Sequence, residues 1–436
     1  INISSTRYKG IYNLSDNDNA VLNFTNNGSI AIDTTREEGL YNQATQANPT
    51  LTAVLNCTNN GNISIDSTRL DGLQNFGNRG QINFTNGMNG IINITRTREY
   101  GIINQNREDQ ANFATAMNFT NMGTIAVNNT LFAGWHNYNE RGNLLQVQNS
   151  GTITLNKAVQ YGLYNRCYNS VPNPPDYSYD STNLSFTNNG TLTTDSTQLA
   201  GIYNYADAGD NLHFTNNGSI DIQHASEQGI YNRSRKSGTF TPVLTFRNNG
   251  GNISIQQTTL PAVYNYANND SLYFYNNAGL QVLSSGSHGI YNFVENNTSV
   301  IQFTNQPNGL ISIQNTTLNG IYNHTTRSGS TQTNALSFVN SGEIDISNIT
   351  GRAIHNYDYR CNFFTFTNTA SGTIRLHNLS QDALYNETNT TSAAYPMSSL
   401  LLTNQGSILI ENLTDIAQPL YNNNTNSLLQ VNNSGN

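Results

Sequence analysis

One pattern is rewritten along the whole of this chain, and a chain built from a single repeating unit has few folds open to it. An early copy reads Gly28-Ser-Ile-Ala-Ile-Asp-Thr-Thr-Arg-Glu-Glu-Gly39-Leu-Tyr-Asn42, led in by Leu22-Asn-Phe24-Thr-Asn26. Its landmarks are Gly-x-Ile-x-Ile, a polar stretch, and Gly-Ile-Tyr-Asn. The last landmark ends at Asn13, Asn42, Asn75, Asn104, Asn137, Asn165, Asn204, Asn232, Asn265, Asn292, Asn323, Asn356, Asn386 and Asn422. Those fourteen copies cover 409 residues in 13 intervals (13 to 422), a period of about 31. The residue two before each Asn is always apolar, Trp135 being the one aromatic. The residue between is Tyr12, Tyr41, Tyr164, Tyr203, Tyr231, Tyr264, Tyr291, Tyr322, Tyr385 or Tyr421 in ten copies, and His136 or His355 in two.

A second element is as regular. Phe24, Phe84, Phe119, Phe186, Phe214, Phe246, Phe274, Phe303, Phe338 and Phe366 share one place, which Cys57, Val147, Leu402 and Val431 fill elsewhere. Asn stands two residues later in every copy, from Asn26 and Asn59 to Asn404 and Asn433. Each period therefore holds three short alternating runs bounded by Gly and Asn, the mark of strands and turns, with no helical period anywhere. The expectation is an all-β parallel β-helix (β-solenoid) of about 14 coils of ~31 residues, three short strands per coil, running continuously over 1–436.

Stacking in register turns each repeated position into a column of like side chains about 4.8 Å apart, and fourteen coils into a rod of roughly 65 Å. Phe and Ile columns would fill the core. Asn columns would bond amide to amide as structural ladders, and the glycines are expected to supply positive φ at tight corners. The ends, Asn432-Asn-Ser-Gly-Asn436 and Ile1-Asn-Ile-Ser4, read together like the internal Asn60-Gly-Asn-Ile-Ser-Ile65. That match predicts an array continuing beyond both ends, in a longer polypeptide or in a stacked neighbour.

Length variation falls on one edge. From the Gly of the Ile-x-Ile element to the start of the next Ile-Tyr-Asn element is nearly always 11 residues, whereas the gap from ladder Asn to the next Phe position runs from 9 to 21. Insertions confined to one face of a solenoid mark the face that meets partners. The longest, between Arg166 and Asn183, contains Pro172-Asn-Pro-Pro-Asp-Tyr and is expected to project as a loop.

Composition narrows the function. A net charge of −8 and a pI near 5.3 argue against nucleic acid and anionic membrane surfaces. No apolar run approaches a membrane span, and 24 Tyr with 17 Phe are too many for a disordered chain. Cys57, in a core column, reads as a small buried apolar residue. Cys167 and Cys361 fall on the variable edge six coils apart, about 29 Å and beyond disulfide reach. They are expected as unbridged thiols or as links to another molecule. Asp and Glu are scattered rather than paired on one groove as glycosidase chemistry needs, and seven His lack zinc spacing. No enzyme activity, cofactor or metal is expected. Asn232-Arg-Ser and Asn296-Asn-Thr are candidate N-glycosylation sequons. The Tyr column should point outward as an exposed stripe able to stack on sugars or seat another rod. It could equally do no more than stabilise the sheet surface, by a few tenths to about 1 kcal/mol per pair.

The segments Asn26-Asn-Gly-Ser-Ile30, Asn149-Ser-Gly-Thr-Ile153, Asn217-Gly-Ser-Ile220 and Asn340-Ser-Gly-Glu-Ile344, with the fourteen Ile-Tyr-Asn elements, carry a family likeness. The chain resembles the passenger β-helices of bacterial autotransporters and filamentous-haemagglutinin-type exoproteins, with a longer repeat than the latter. The resemblance implies a secreted or surface-displayed stalk for adhesion or assembly. The leading expectation is an extracellular structural solenoid that self-associates by axial stacking into a rod or filament, with lateral contacts from the Tyr stripe and variable loops. A monomeric adhesin passenger binding a host surface or glycan is the alternative, and a polysaccharide-cleaving β-helix the third.

Overall fold

Alternation with a period of two sends successive side chains to opposite faces of a strand, and each repeat uses it three times. In the first coil the strands are β1 (Asn2–Thr6), β2 (Ile11–Asp16) and β3 (Val21–Asn26); in the second they are β4 (Ser29–Thr35), β5 (Leu40–Thr45) and β6 (Val54–Asn59). Each strand lies parallel on its counterpart one period earlier, with Ile3 opposite Ile32, Asn13 opposite Asn42 and Phe24 opposite Cys57. The result is an all-β parallel β-solenoid of three sheets with three strands per turn and, among the described residues, no helix. The sheets containing β1, β2 and β3 are called A, B and C below.

The computed structural model describes residues 1–16, 19–46, 52–107, 115–168, 182–207, 211–236, 241–296, 298–326, 335–359, 361, 363–389, 399–414, 416–425 and 427–436. The expected projecting loop between Arg166 and Asn183 lies mostly outside them. Two compact units are present, Ile1–Asp221, and Ile222–Lys236 with Thr241–Asn436. In the first unit each sheet has seven strands in coil order, ending at Thr191–Thr197 in A, Ile202–Asp207 in B and Asn211–Asn216 in C. In the second, sheet B runs from Ile230–Arg235 to Leu420–Thr425 and sheet C from Val243–Asn248 to Leu428–Asn433, seven strands each.

The interior is made of columns. Phe84 and Phe119 stack at 4.7 Å, and Phe246, Phe274, Phe303, Phe338 and Phe366 form one run with centroid spacings of 4.7–5.1 Å. Cys57 is buried in the first of these columns, as expected. Where Val147 leaves the Phe column short of volume, Trp135 of the same coil replaces an aliphatic residue and fills the space. Its ring packs edge-on against Phe119 and Phe186 at 4.7 and 6.3 Å. Total volume is conserved although neither position is, which close packing demands.

Two Asn ladders line the core. In sheet B of the first unit Asn13, Asn42, Asn75, Asn104, Asn137 and Asn165 each donate Nδ2 to Oδ1 of the Asn one coil on, at 2.8–2.9 Å, ending at Asn204. In the second unit Asn232, Asn265, Asn292, Asn323, Asn356 and Asn386 do the same as far as Asn422, at 2.8–2.9 Å. The sheet C ladder begins with Asn26 to Asn59 at 2.8 Å and closes with Asn404 to Asn433 at 2.8 Å. Every described rung points the same way along the chain, from earlier coil to later coil.

The glycines have a different task from the one expected. Gly39, Gly61 and Gly190 have ordinary φ, but a Cβ on Gly61 would stand 2.0 Å from the carbonyl oxygen of Gly28, and on Gly190 the same distance from that of Gly151. They are there because successive backbones meet. The left-handed conformation belongs to Thr34, Ser67, Arg96, Asn129, Lys157 and Ser196, with φ of 55–59°. Each puts two neighbouring side chains outward and turns the next residue in. That residue is Thr35, Thr68 or Thr197 in three of the coils, whose buried hydroxyl donates to a carbonyl two residues on at 2.9–3.2 Å. The hydroxyl holds the corner from A to B closed.

Candidate functional site

The outer face of sheet B gathers the chain's unusual chemistry. In Ile-Tyr-Asn the apolar residue and the Asn point inward, so alternation places Tyr outside. In the second unit Tyr231, Tyr264, Tyr291 and Tyr322 follow one another at 4.9 Å with planes 10–15° apart, and His355 continues the run at 4.7 Å. Tyr421 stacks on Tyr385 at 4.8 Å. In the first unit His136, Tyr164 and Tyr203 stack at 4.5 and 5.0 Å, and Tyr41 lies on Tyr12 at 5.3 Å.

Two features depart from an exposed stripe. Of its ten tyrosines only Tyr12 is exposed, at 49%; Tyr203 and Tyr385 are buried and the others half-buried. The cover comes from the corner residue just before each strand. Tyr161 leans on Tyr164 and Tyr203, both at 4.9 Å, and His288 on Tyr322 at 4.9 Å. Lys9 Nζ lies 4.9 Å from the Tyr41 ring and the Arg352 guanidinium 3.5 Å from that of Tyr385. Secondly, nearly parallel rings at the strand spacing turn their faces toward one another. What reaches solvent is ring edge and hydroxyl, so a sugar finds no open face to stack on.

A second aromatic column stands two residues further along each strand. It comprises Phe76, Tyr138, Tyr205, Tyr266, Phe293, His324 and Tyr357, with Phe293 and His324 at 4.7 Å and His324 and Tyr357 at 5.0 Å. Sequence reading passed over it, although the same alternation carried past the ladder Asn would have found it. Arg166 sits in this column in register between Tyr138 and Tyr205. Its guanidinium is 5.4 and 5.7 Å from their ring centres and 4.7 Å from that of Tyr168, a cation held by π faces.

Burial fixes the ionisation of this face. It holds the imidazoles of His136 and His355 down to about 3 and those of His288 and His324 down to about 4, and it pushes the phenols of Tyr41, Tyr264, Tyr291 and Tyr322 well above their ordinary value. At neutral pH the stripe is an array of uncharged rings. Tyr291 Oη and His324 Nδ1 share a hydrogen bond of 2.9 Å within it.

The remaining sequence candidates are placed as follows. Asn232 is fully buried and donates to Asn265 at 2.9 Å as a rung of the sheet B ladder. Asn296 is half-buried, with Nδ2 donating to Asn268 Oδ1 at 3.2 Å. Cys167 and Cys361 are both buried rather than presented on the edge. Cys167 continues the inward alternation of its strand, in register with Asn139 and Ala206, and its Sγ lies 3.0 Å from Thr182 Oγ1. Among the described residues no group of three or more His, Cys, Asp or Glu could hold a metal ion. No family model, curated protein or solved structure matches the chain, so the likeness to autotransporter and haemagglutinin passengers rests on its residues alone.

Proposed function

We propose that this protein is an extracellular structural solenoid that extends by axial stacking, head to tail, into a filament. The observation that carries the reading is the common direction of the two core Asn ladders. Within each unit a core-ladder Asn accepts from the coil before it and donates to the coil after it, as Asn42 does between Asn13 and Asn75 and Asn386 between Asn356 and Asn422. One face of a coil therefore presents acceptors and the other donors. Only a head-to-tail contact pairs them; head-to-head would set like against like. Such a heterologous contact, repeated, makes an open fibre rather than a closed dimer.

The sheets support the same reading. Each described coil adds one parallel strand to each of three sheets, an arrangement that a further coil of the same kind extends. The covered Tyr stripe assists by stiffening sheet B rather than by binding a sugar.

Negative-stain electron microscopy at low and raised concentration tests this. Unbranched filaments are expected from the wild type. Exchanging Asn422 and Asn433 for Asp keeps the oxygens that accept from Asn386 and Asn404 but removes the outgoing donors, and should give short particles with unchanged circular dichroism. Separate particles from the wild type at every concentration would overturn axial stacking and return attention to the adhesin reading.

A further inference from the structure

Sheet C of the first unit has an outer face unlike those of A and B. In its strands the first, third and fifth residues point outward, as in Gln81–Asn86 and Ala116–Asn121. Across all seven strands, from β3 to Asn211–Asn216, none of those outward residues is Lys, Arg, Asp or Glu. Over the same coils sheet A carries Asp33, Asp66 and Lys157 outward, and sheet B carries Arg107, Glu140 and Arg166. Interspersed charge is what ordinarily keeps protein surfaces apart. This face lacks it.

What it has instead is order. Asn118 donates to Asn83, Asn83 to Asn56 and Asn56 to Asn23, at 3.0, 3.0 and 2.9 Å, so an external ladder runs over four coils. Beside it stands a column of Thr25, Thr58, Thr85 and Thr120 in register. Side chains already fixed by their neighbours lose little freedom when a partner covers them. Amides and hydroxyls both donate and accept, so this surface is complementary to itself, as a charged surface is not.

We propose that the outer face of sheet C in the first unit is a lateral dimer interface that receives the same face of a second copy across a two-fold axis. The two sheets would pack about 10 Å apart with Asn and Thr columns interleaved, as in paired sheets with Asn ladders. Seven strands at about 4.8 Å and six residues at about 3.3 Å give a face of roughly 34 by 20 Å. Two such faces bury about 1,300 Å², which falls in the range of stable specific interfaces. The contact uses outward residues of sheet C and none of the core-ladder amides, so it stands independently of axial stacking.

Sedimentation velocity on the full chain carrying Asn422→Asp and Asn433→Asp separates the two contacts, since those changes act only at an end. A concentration-dependent dimer is expected. Adding Thr58→Lys, Thr85→Lys and Thr120→Lys sets like charges face to face and should raise the dissociation constant about a hundredfold or more, with circular dichroism unchanged. Ser64→Lys and Ala126→Lys on sheet A should leave the dimer intact. Monomers at every concentration in the starting variant, or a dimer that survives the three lysines, would overturn the proposal.

Discussion

A missing methyl group and an unusual torsion are distinct reasons for a corner, and this chain assigns them to different residues. Gly190 stands where a Cβ would meet the Gly151 carbonyl, so Gly190→Ala should cost about 1–3 kcal/mol through backbone displacement. Lys157 adopts φ 55°, which costs an L-residue about 1–2 kcal/mol. Lys157→Gly should therefore raise the thermal midpoint modestly, since the greater freedom of glycine in the unfolded chain returns about 0.5–1 kcal/mol of that gain. Thermal melts followed by circular dichroism distinguish opposite signs at two corners of the same coil. The glycines were legible in the sequence but their purpose was not, because a close approach between coils is not a local property. The left-handed position was hidden for another reason: Thr, Ser, Arg, Asn and Lys occupy it in turn, and only the inward residue after it gives it away. Trp135 was legible as an exception and explicable only beside Val147. Trp135→Leu should cost several kcal/mol by opening a cavity. Val147→Phe, destabilising alone by crowding, should recover part of that loss in the double variant, and a double-mutant cycle measures the coupling.

At the scale of the strand, sheet B combines an inner amide column with an outer aromatic one. Asn292→Ala leaves Asn265 Nδ2 and Asn323 Oδ1 without their partners in a dry interior, and should cost roughly 2–6 kcal/mol at 1–3 per orphaned group. Tyr291→Leu keeps most of the apolar area but removes the two parallel stacks on Tyr264 and Tyr322 and the hydrogen bond to His324, and should cost less, about 1–3 kcal/mol. Chemical denaturation of both variants ranks them; the reverse order would mean that the outer stack, not the inner ladder, holds the sheet. The strands, their register, both ladders and the first aromatic column could be read from the repeat because one residue type recurs in each. The second column could not, since Phe, Tyr, Arg and His alternate in it. Nor could the cover over the stripe, because Lys9, Tyr161, His288 and Arg352 share only a position.

For the molecule as a whole, buried ionisable groups of two kinds set how stability varies with pH. His136, His288, His324 and His355 are held neutral by burial, whereas the unfolded chain protonates near 6.5. Their contribution is complete above that value and is lost as pH falls toward about 3 to 4. Asp71 and Asp358 are pushed up by burial to about 8 and about 7, against about 3.9 unfolded. Their protonated forms suit the fold, so their contribution is lost as pH rises through 7 to 8. Four histidines outweigh two aspartates below about 6.5, and above it the aspartates act alone. Apparent thermal midpoints should peak near pH 6.5 and fall on either side. Asp71→Asn with Asp358→Asn should flatten the alkaline limb and steepen the acid one, where the two carboxyls had opposed the histidines.

The corner at which Gly61 meets Gly28 is occupied one coil on by Gly90, and this has a consequence for inheritance. Each coil pairs only with the coils before and after it, so phase is the sole condition a change of length has to meet. Loss of residues 62–90 would join Gly61 to Ile91, in the way that Gly90 is joined to it now, and every column would continue in phase. A loss a few residues longer or shorter would put Asn where Ile belongs throughout the splice. A gene of this kind can shorten or lengthen its product by misaligned recombination between near-copies, in steps of one coil. Natural variants should accordingly differ in whole periods.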